Sequence, residues 1–440
     1  MTVSIKHRTL GLLLALTLLF GVLPSSSLAG GEALLDLGTV VNAKMKTVAS
    51  NDDLEYWAVT TDIKAIRMAD SLPGGFTPSD NSTVSAAESE FPVYIFFDNT
   101  DDAGIMYFYT EADKIVLNPD SKLMFVSNEG LADISCLADW DSSRVTDMYA
   151  MFADVCSLPD ALALRNWDTS NVTDMSYLFS HATAMEYVDV SNWNTGNVTS
   201  MASMFQVGES WKGNGQLREI VGLGSFDTSN VRDMTCMFYG AGQMTDYDVA
   251  GWDVSKVVSM NHMFGDNFKL RSLDLSRWDD SSVQTVYCMF DDNYELRTIG
   301  DVSHWNTCSL IDAGAWINDA PSFVGSNTGM MDVSGWDTRN LKSVGEMFRE
   351  TAIRVIDMSG WDFSSLTNDR WEGAGTGIFY ETGNDTEEFR GMGRMFNGST
   401  QLVAVYVSQE GLETLTAAVE NGLNTLNMFV RTRANGFTAK

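Results

Sequence analysis

Positive charge is what this chain has least of. Its 440 residues hold 28 lysines and arginines against 59 aspartates and glutamates, a formal net charge of −31. So acidic a surface repels phosphate backbones and anionic lipid heads, which makes nucleic acid and membrane surfaces poor partners. It suits basic partners or divalent cations, and it equally serves solubility alone. Cysteine is scarce: Cys136, Cys156, Cys236, Cys288 and Cys308, an odd number with no Cys-x-x-Cys pair. That excludes a dense disulfide scaffold, a paired-cysteine zinc site and a redox dithiol. Histidine is scarcer still. Beyond His7 there are His181, His262 and His304, with no His-Glu-x-x-His, no Gly-x-Ser-x-Gly and no phosphate loop. Each of the three reads as a surface or corner residue. The lone cluster Gly373-x-Gly375-x-Gly377 reads as flexible loop. No catalytic, cofactor-binding or metal-ligating residues are assigned, and the chain reads as a protein that is not an enzyme.

Long apolar runs are missing too, except at the start. Lys6 and Arg8 precede an apolar stretch from Leu10 to Val22, then Pro24 and Ser27-Leu28-Ala29. This is the order of a secretory signal peptide, with cleavage expected after Ala29. No later segment approaches the ~20 apolar residues that cross a bilayer. The mature chain is expected to be exported, with no membrane insertion after signal removal. It would keep 26 basic residues against 59 acidic ones, a net charge of −33.

What the chain has in abundance is itself. The phrase Trp167-Asp168-Thr169-Ser170-Asn171-Val172-Thr173-Asp174-Met175, closing on Leu178-Phe179, recurs about every 26 residues. Copies start at Trp140, Trp193, Phe226, Trp252 and Trp278, and looser ones at Trp305, Trp336 and Trp361. Such a period marks a repeat solenoid, in which each unit buries its core only against its neighbours. Nine or ten repeats at one strand spacing each would span about 45 Å.

Counting from the Trp as position zero, apolar residues flank position −4, as in Val188 and Val190, or Leu273 and Leu275. This alternation predicts a short strand with one face inward. The Asp after the Trp predicts an Asx turn, its carboxylate accepting the backbone N–H two residues on. Apolar residues at +5, +8, +11 and +12 predict one short helical or 3₁₀ turn. The Met and Phe stripe at +8 to +12 reads as core filling. The Trp stripe reads as burial at the strand-to-turn corner, with a sugar- or peptide-binding face as the alternative. Cys236 and Cys288, at one repeat position two repeats apart, would lie ~10 Å from each other, too far to bridge. All five cysteines read as small buried hydrophobes.

These residues resemble the BspA-like family of bacterial surface proteins, whose leucine-rich-type repeat is matched closely by Leu273-Asp274-Leu275-Ser276-Arg277-Trp278 and by Trp167 to Met175. The resemblance runs from about Leu131 to Phe396. It implies a leucine-rich-repeat-like solenoid, secreted or held at a bacterial cell surface, with adhesion or protein binding as its role and no catalytic residues. The family's wall-sorting pattern is not found in the final residues, Arg431 to Lys440, which leaves the anchoring mode open.

The domain plan expected is a signal peptide over 1–29, an N-terminal α+β cap over 30–120, the solenoid over 121–396, and a degenerate C-terminal repeat over 397–440. Strand-like runs in the cap are Tyr56 to Ile66, Phe91 to Phe97, Ile105 to Tyr109 and Ile115 to Leu117. Met124-Phe125 reads as the remnant of a half repeat, and Met428-Phe429 as the close of a last one. The segments Val207 to Gly215 and Asn368 to Arg390 are expected to bulge. One binding signal stands out: position −4 is Asp248, Asp274, Asp301, Asp332 and Asp357 in five consecutive repeats. Flanked by inward residues, these carboxylates should face out and repel one another, attracting a counter-charge or raising their own pKa values. They are the candidate partner-binding residues, for a basic protein or calcium; a plain solvated face is the other reading. The partner expected is a protein or glycan at a cell surface. A structural spacer without a specific ligand is the alternative.

Overall fold

A computed structural model describes residues 31–50, 52, 54–208, 215–366, 395–413 and 430–432. The expected signal peptide, most of the Val207 to Gly215 connection, the Asn368 to Arg390 insert and Met428-Phe429 lie outside the described residues.

The N-terminal region combines β1 (Glu32–Leu34), α1 (Gly38–Ser50), β2 (Ala65–Met68), β3 (Tyr94–Asp98), β4 (Ile105–Tyr109) and β5 (Lys114–Val116). β1 pairs with β5 in parallel, and β4 lies between β2 (parallel) and β3 (antiparallel). Strand-like patterning does not reveal α1. It also overstates the Tyr56 to Ile66 run, whose first part is a turn closed by Ala58 N–H on the Glu55 carbonyl.

Beyond Lys114 the chain climbs by one repeated step. Single-residue parallel bridges join position +7 of successive repeats: Asp120, Asp147, Asp174, Ser200, Asp233, Ser259, Thr285, Asp312 and Ser343. The N–H at +6 donates to the +6 carbonyl of the repeat before, as from Thr173 to Thr146 at 2.9 Å and from Gln284 to Val258 at 2.9 Å. Regular strands form at position −4 only in places: β6 (Tyr187–Asp189) with β7 (Glu219–Val221), and the parallel series β8 (Met330–Asp332), β9 (Val355–Asp357), β10 (Ala404–Val407) and β11 (Val430–Thr432). Among the described residues the architecture is thus one of small sheets and turns.

The predicted helical turn at +5 to +12 does not form. A helix would spend each N–H on its own chain four residues back. Here the N–H groups at +8, +10, +12 and +14 donate to the next repeat instead: Met148 to Asp174, Ala150 to Ser176, Phe152 to Leu178 and Asp154 to Ser180, all at 2.8–3.0 Å. The intervening N–H groups close β-turns, Met151 on Met148 and Ala153 on Ala150, both at 3.2 Å. The third residue of the Met148–Met151 turn, Ala150, is left-handed, and that conformation recurs with the period. At +10 stand Ala150 (φ 50°), Tyr177 (59°), Ser203 (55°), Cys236 (55°), His262 (52°), Cys288 (52°), Ala315 (48°) and Glu346 (56°). At +14 stand Asp154, His181, Asp266, Asp292, Asp319 and Glu350, all with φ between 48° and 57°. Each costs a non-glycine residue roughly 1–2 kcal/mol, offset by hydrogen bonds to the next repeat.

The core follows the predicted stripes. The +12 rings stack in a column, Phe125, Phe152, Phe179, Phe205, Phe238, Phe264 and Phe290, with centroids 5.1–5.9 Å apart and planes within 21°. Met124 and Phe125 belong to this column, Phe125 donating its N–H to the Met151 carbonyl at 2.9 Å. The repeat tryptophans are buried, and from Trp167 on each of their indole N–H groups finds the carbonyl three residues before the preceding repeat's aromatic. Trp167 donates to Leu137 (2.9 Å), Trp193 to Leu164 (2.9 Å), Trp252 to Leu223 (3.1 Å), Trp278 to Val249 (3.0 Å) and Trp361 to Val333 (2.8 Å). The Asx turn forms as expected. Asp141, Asp168, Asp227, Asp253 and Asp279 each accept the N–H two residues on at 2.9–3.1 Å. At +2, buried Thr169, Thr195, Thr228, Thr307 and Thr338 donate Oγ1–H to the +1 carbonyl of the next repeat at 2.9–3.1 Å.

Because every repeat donates forward, the first one has carbonyls with no repeat behind them. α1 answers this from one face, at i, i+4 and i+8. Gly38 N–H donates to Asp120 (3.0 Å), and Asn42 Nδ2 to Leu123 and Val126 (both 3.0 Å). Lys46, fully buried, donates Nζ–H to Val126 (2.7 Å) and to Tyr56. The approach leaves no room at Gly38: a Cβ there would sit 2.4 Å from the Lys122 carbonyl oxygen.

Candidate functional site

The −4 aspartates are placed by the residue two positions on. The carboxylates of Asp274, Asp301, Asp332 and Asp357 accept the N–H of Ser276, Ser303, Ser334 and Ser359 at 3.0–3.1 Å. Asp248 is followed by Ala250 and makes no such bond among those described. Asp248, Asp274 and Asp301 are exposed, Asp332 is half-buried, and Asp357 is buried, contrary to the outward orientation expected for all five. Of the two outcomes expected for the column, a counter-charge or raised pKa values, the second is not met at Asp274 and Asp301. Hydrogen bonding from Ser276 lowers the Asp274 carboxyl, and that from Ser303 lowers Asp301. The local donor stabilises the charged form more than partial burial destabilises it. Asp301 and Asp332 share an open groove of about 400 Å³ with Thr298, Ser303, Ser326 and Asn327. The turn around Ser326 builds one wall, Ser326 N–H bonding Met330 at 2.9 Å.

A denser acidic group lies at the +13/+14 corner. One carboxylate oxygen each of Asp291, Asp292 and Asp319 falls within 4.8 Å of the others, an arrangement able to hold a cation. Asn318 Nδ2 donates to Asp291 (2.8 Å), Tyr294 OH to Asp292 (2.9 Å) and Arg349 Nη1 to Asp319 (2.7 Å). Arg349 also reaches Glu350 at 2.7 Å. Burial pushes the Asp291 carboxyl well above its ordinary range and raises Asp292. Glu350 is raised by its hydrogen bond with Asp319. Burial thus favours the protonated forms of Asp291 and Asp292. The signal for them was present in the sequence, because Asp266, Asp292, Asp319 and Glu350 recur at the repeat spacing. It meant little without the backbone: aspartate is among the few residues that tolerate the left-handed conformation required at +14.

The remaining candidates are quiet. None of the five cysteines forms a disulfide, and only Cys288 is buried, the other four being half-buried rather than core residues. Burial pushes the Cys136 and Cys236 thiols up to about 12, where they are poor nucleophiles. His181 Nδ1 meets Asp154 Oδ1 at 3.0 Å, and His262 lies edge-on between Tyr239 and Tyr287.

Fold and site together define a stack of short repeats laced by backbone hydrogen bonds and carrying acidic corners. The chain belongs to the family described as Mycoplasma protein of unknown function, DUF285, whose model matches residues 120–221, 214–330, 302–382 and 326–410. The matches begin at Asp120, where the bridge ladder begins. No curated protein matches the chain.

Proposed function

We propose that this protein is an exported, leucine-rich-repeat-type solenoid that binds other macromolecules at a cell surface without catalysis. The observation that carries the reading is the division of labour among its carboxylates. Those at +1 and −4 cap the chain's own backbone, whereas those at the Asp291–Asp292–Asp319 corner crowd together beyond any such need. A crowded acidic surface recruits cationic partners and speeds their encounter. The leader-like start and the resemblance to BspA-like surface proteins support export, and a protein or glycan at a cell surface is the partner class. The exposed members of the −4 column, Asp248, Asp274 and Asp301, add further acidic groups to the surface. No cofactor is required; calcium is the cation the corner would take, since three carboxylate oxygens are hard ligands.

A second reading is a structural spacer. It is favoured by the −4 aspartates, whose carboxylates are largely spent on adjacent N–H groups. Probing the purified mature chain against an array of extracellular proteins and glycans separates the two. Saturable capture of a defined partner, weakened by salt, is the expected result. Silence across the array would leave the spacer.

A further inference from the structure

A second apolar cluster lies outside the core, over the first three repeats. Val126, Ala150 and Ala153 form its floor, with Tyr56, Leu123 and Tyr177 packed against them. Tyr149 joins through its ring contact with Tyr177 at 5.5 Å, and Trp57 through an edge contact with Tyr56 at 4.8 Å. The patch is open to solvent: Trp57 is 59% exposed and Tyr149 36%. Exposed large apolar side chains elsewhere, such as Leu162, Tyr294 and Val403, are scattered along the chain, whereas aromatics gathered in one place mark contact surfaces.

Carboxylates border the patch on several sides, with His181 beside Asp154 at 3.0 Å. Glu55 precedes Tyr56, Asp154 follows Ala153, and Asp147 accepts the N–H of Tyr149 at 2.8 Å. The two lysines at the site are engaged elsewhere. Lys46 is fully buried against the Val126 and Tyr56 carbonyls, and Lys122 bonds Asp120 at 2.9 Å. Aromatic faces bordered by carboxylates attract cationic side chains twice over, through the ring quadrupole and through charge.

We propose that this patch, centred on Trp57, Tyr149 and Tyr177, docks a lysine- or arginine-rich segment of a partner protein. The assignment rests on the macromolecule-binding role proposed above and gives it a surface and a partner chemistry. It lies at the N-terminal end of the stack, several repeats away from the Asp291–Asp292–Asp319 corner.

The test uses the full mature chain and a ten-residue peptide carrying four arginines spaced by glycine and serine, titrated by calorimetry. Wild type is expected to bind, and affinity should fall at least tenfold in the Trp57→Ala, Tyr149→Ala double variant. The same peptide should bind Val403→Ala, an exposed apolar residue far along the stack, as well as wild type. Trp57→Phe, which keeps a ring face, should retain most of the binding and so separates docking from folding. Raising salt from 50 to 300 mM should weaken the wild-type complex severalfold. Equal binding by the double variant overturns the proposal, because the peptide would then be following net charge alone. Binding of neutral chitotetraose at the patch in place of the peptide also overturns it. If the extracellular array captures a partner whose binding ignores the double substitution, the docking surface is wrong and the binding role stands. If the array and the peptide both fail, the binding role itself falls.

Discussion

Asp280 accepts the backbone N–H of Asn306 at 2.7 Å, standing where other repeats place a threonine. Threonine can do two things across this joint. Thr169 accepts the N–H of Asn194 at 2.8 Å and donates to the Asn194 carbonyl at 2.9 Å. An ionised aspartate can only accept. Burial drives the Asp280 carboxyl up to about 6 from an ordinary 3.8, against hydrogen bonds that lower it; Asp279 raises it further and His304 lowers it.

The sign follows from linkage. With its folded pKa above the unfolded one, Asp280 costs nothing below pH ~4, and the penalty grows as pH rises towards 6, reaching about 3 kcal/mol at most. Asp280→Thr should therefore stabilise the protein at pH 7.5 and change little at pH 4. Thermal unfolding of both chains at the two pH values reads the difference. An equal shift at both would mean that the carboxyl titrates normally.

Lys46 predicts the opposite trend. Burial lowers its pKa to about 8 from 10.5, Asp154 opposing the shift. A base with a depressed folded pKa gains stability as pH rises from 8 to 10.5, because the unfolded state then holds the extra proton. Lys46→Met removes the donor to Tyr56 and Val126 and should cost ~1–3 kcal/mol. The gap from wild type should widen between pH 8 and 10.5. Denaturant unfolding across that range, with hydrogen exchange at 120–127, checks both; a gap that narrows with pH would refute the assignment.

The tryptophan column contains its own control. Trp278 Nε1–H bonds Val249, whereas Trp140 Nε1–H is buried without an acceptor. Trp278→Phe should cost about 1–2 kcal/mol more than Trp140→Phe, because only the first loses a bond and strands a carbonyl. Urea unfolding of the two variants decides it. Equal costs would show that the indole bonds contribute nothing.

Ala150, at φ 50°, discriminates a left-handed turn from a helix. In a helix, Ala150→Gly would cost ~1 kcal/mol. In the left-handed position it should be neutral or stabilising, and Ala150→Val should cost more than ~1 kcal/mol. The order of the three midpoints in urea is the readout.

If the Asp291–Asp292–Asp319 corner takes calcium, millimolar calcium should raise the wild-type melting temperature by a few degrees and leave Asp292→Asn unmoved. Magnesium, which prefers a tighter octahedral shell, should do less. A calcium shift that persists in Asp292→Asn would place the ion elsewhere.

Much of this protein is written along the chain, and the reason is burial. Val172, Met175 and Phe179 had to face inward at their spacing whatever the backbone did between them, so period, core stripe and Asx turn were legible. Two things were not. Whether Ala150 N–H bonds its own turn or Ser176 depends on a neighbouring repeat being present, so the left-handed turns belong to the stack and not to any one copy. Aspartate also carries no label for its task. Asp168 and Asp274 cap their own backbones, Asp280 sits buried against Asn306, and Asp291 crowds Asp292 and Asp319. One residue type at four positions meets four different sets of donors and neighbours, and only the stacking of repeats sets them.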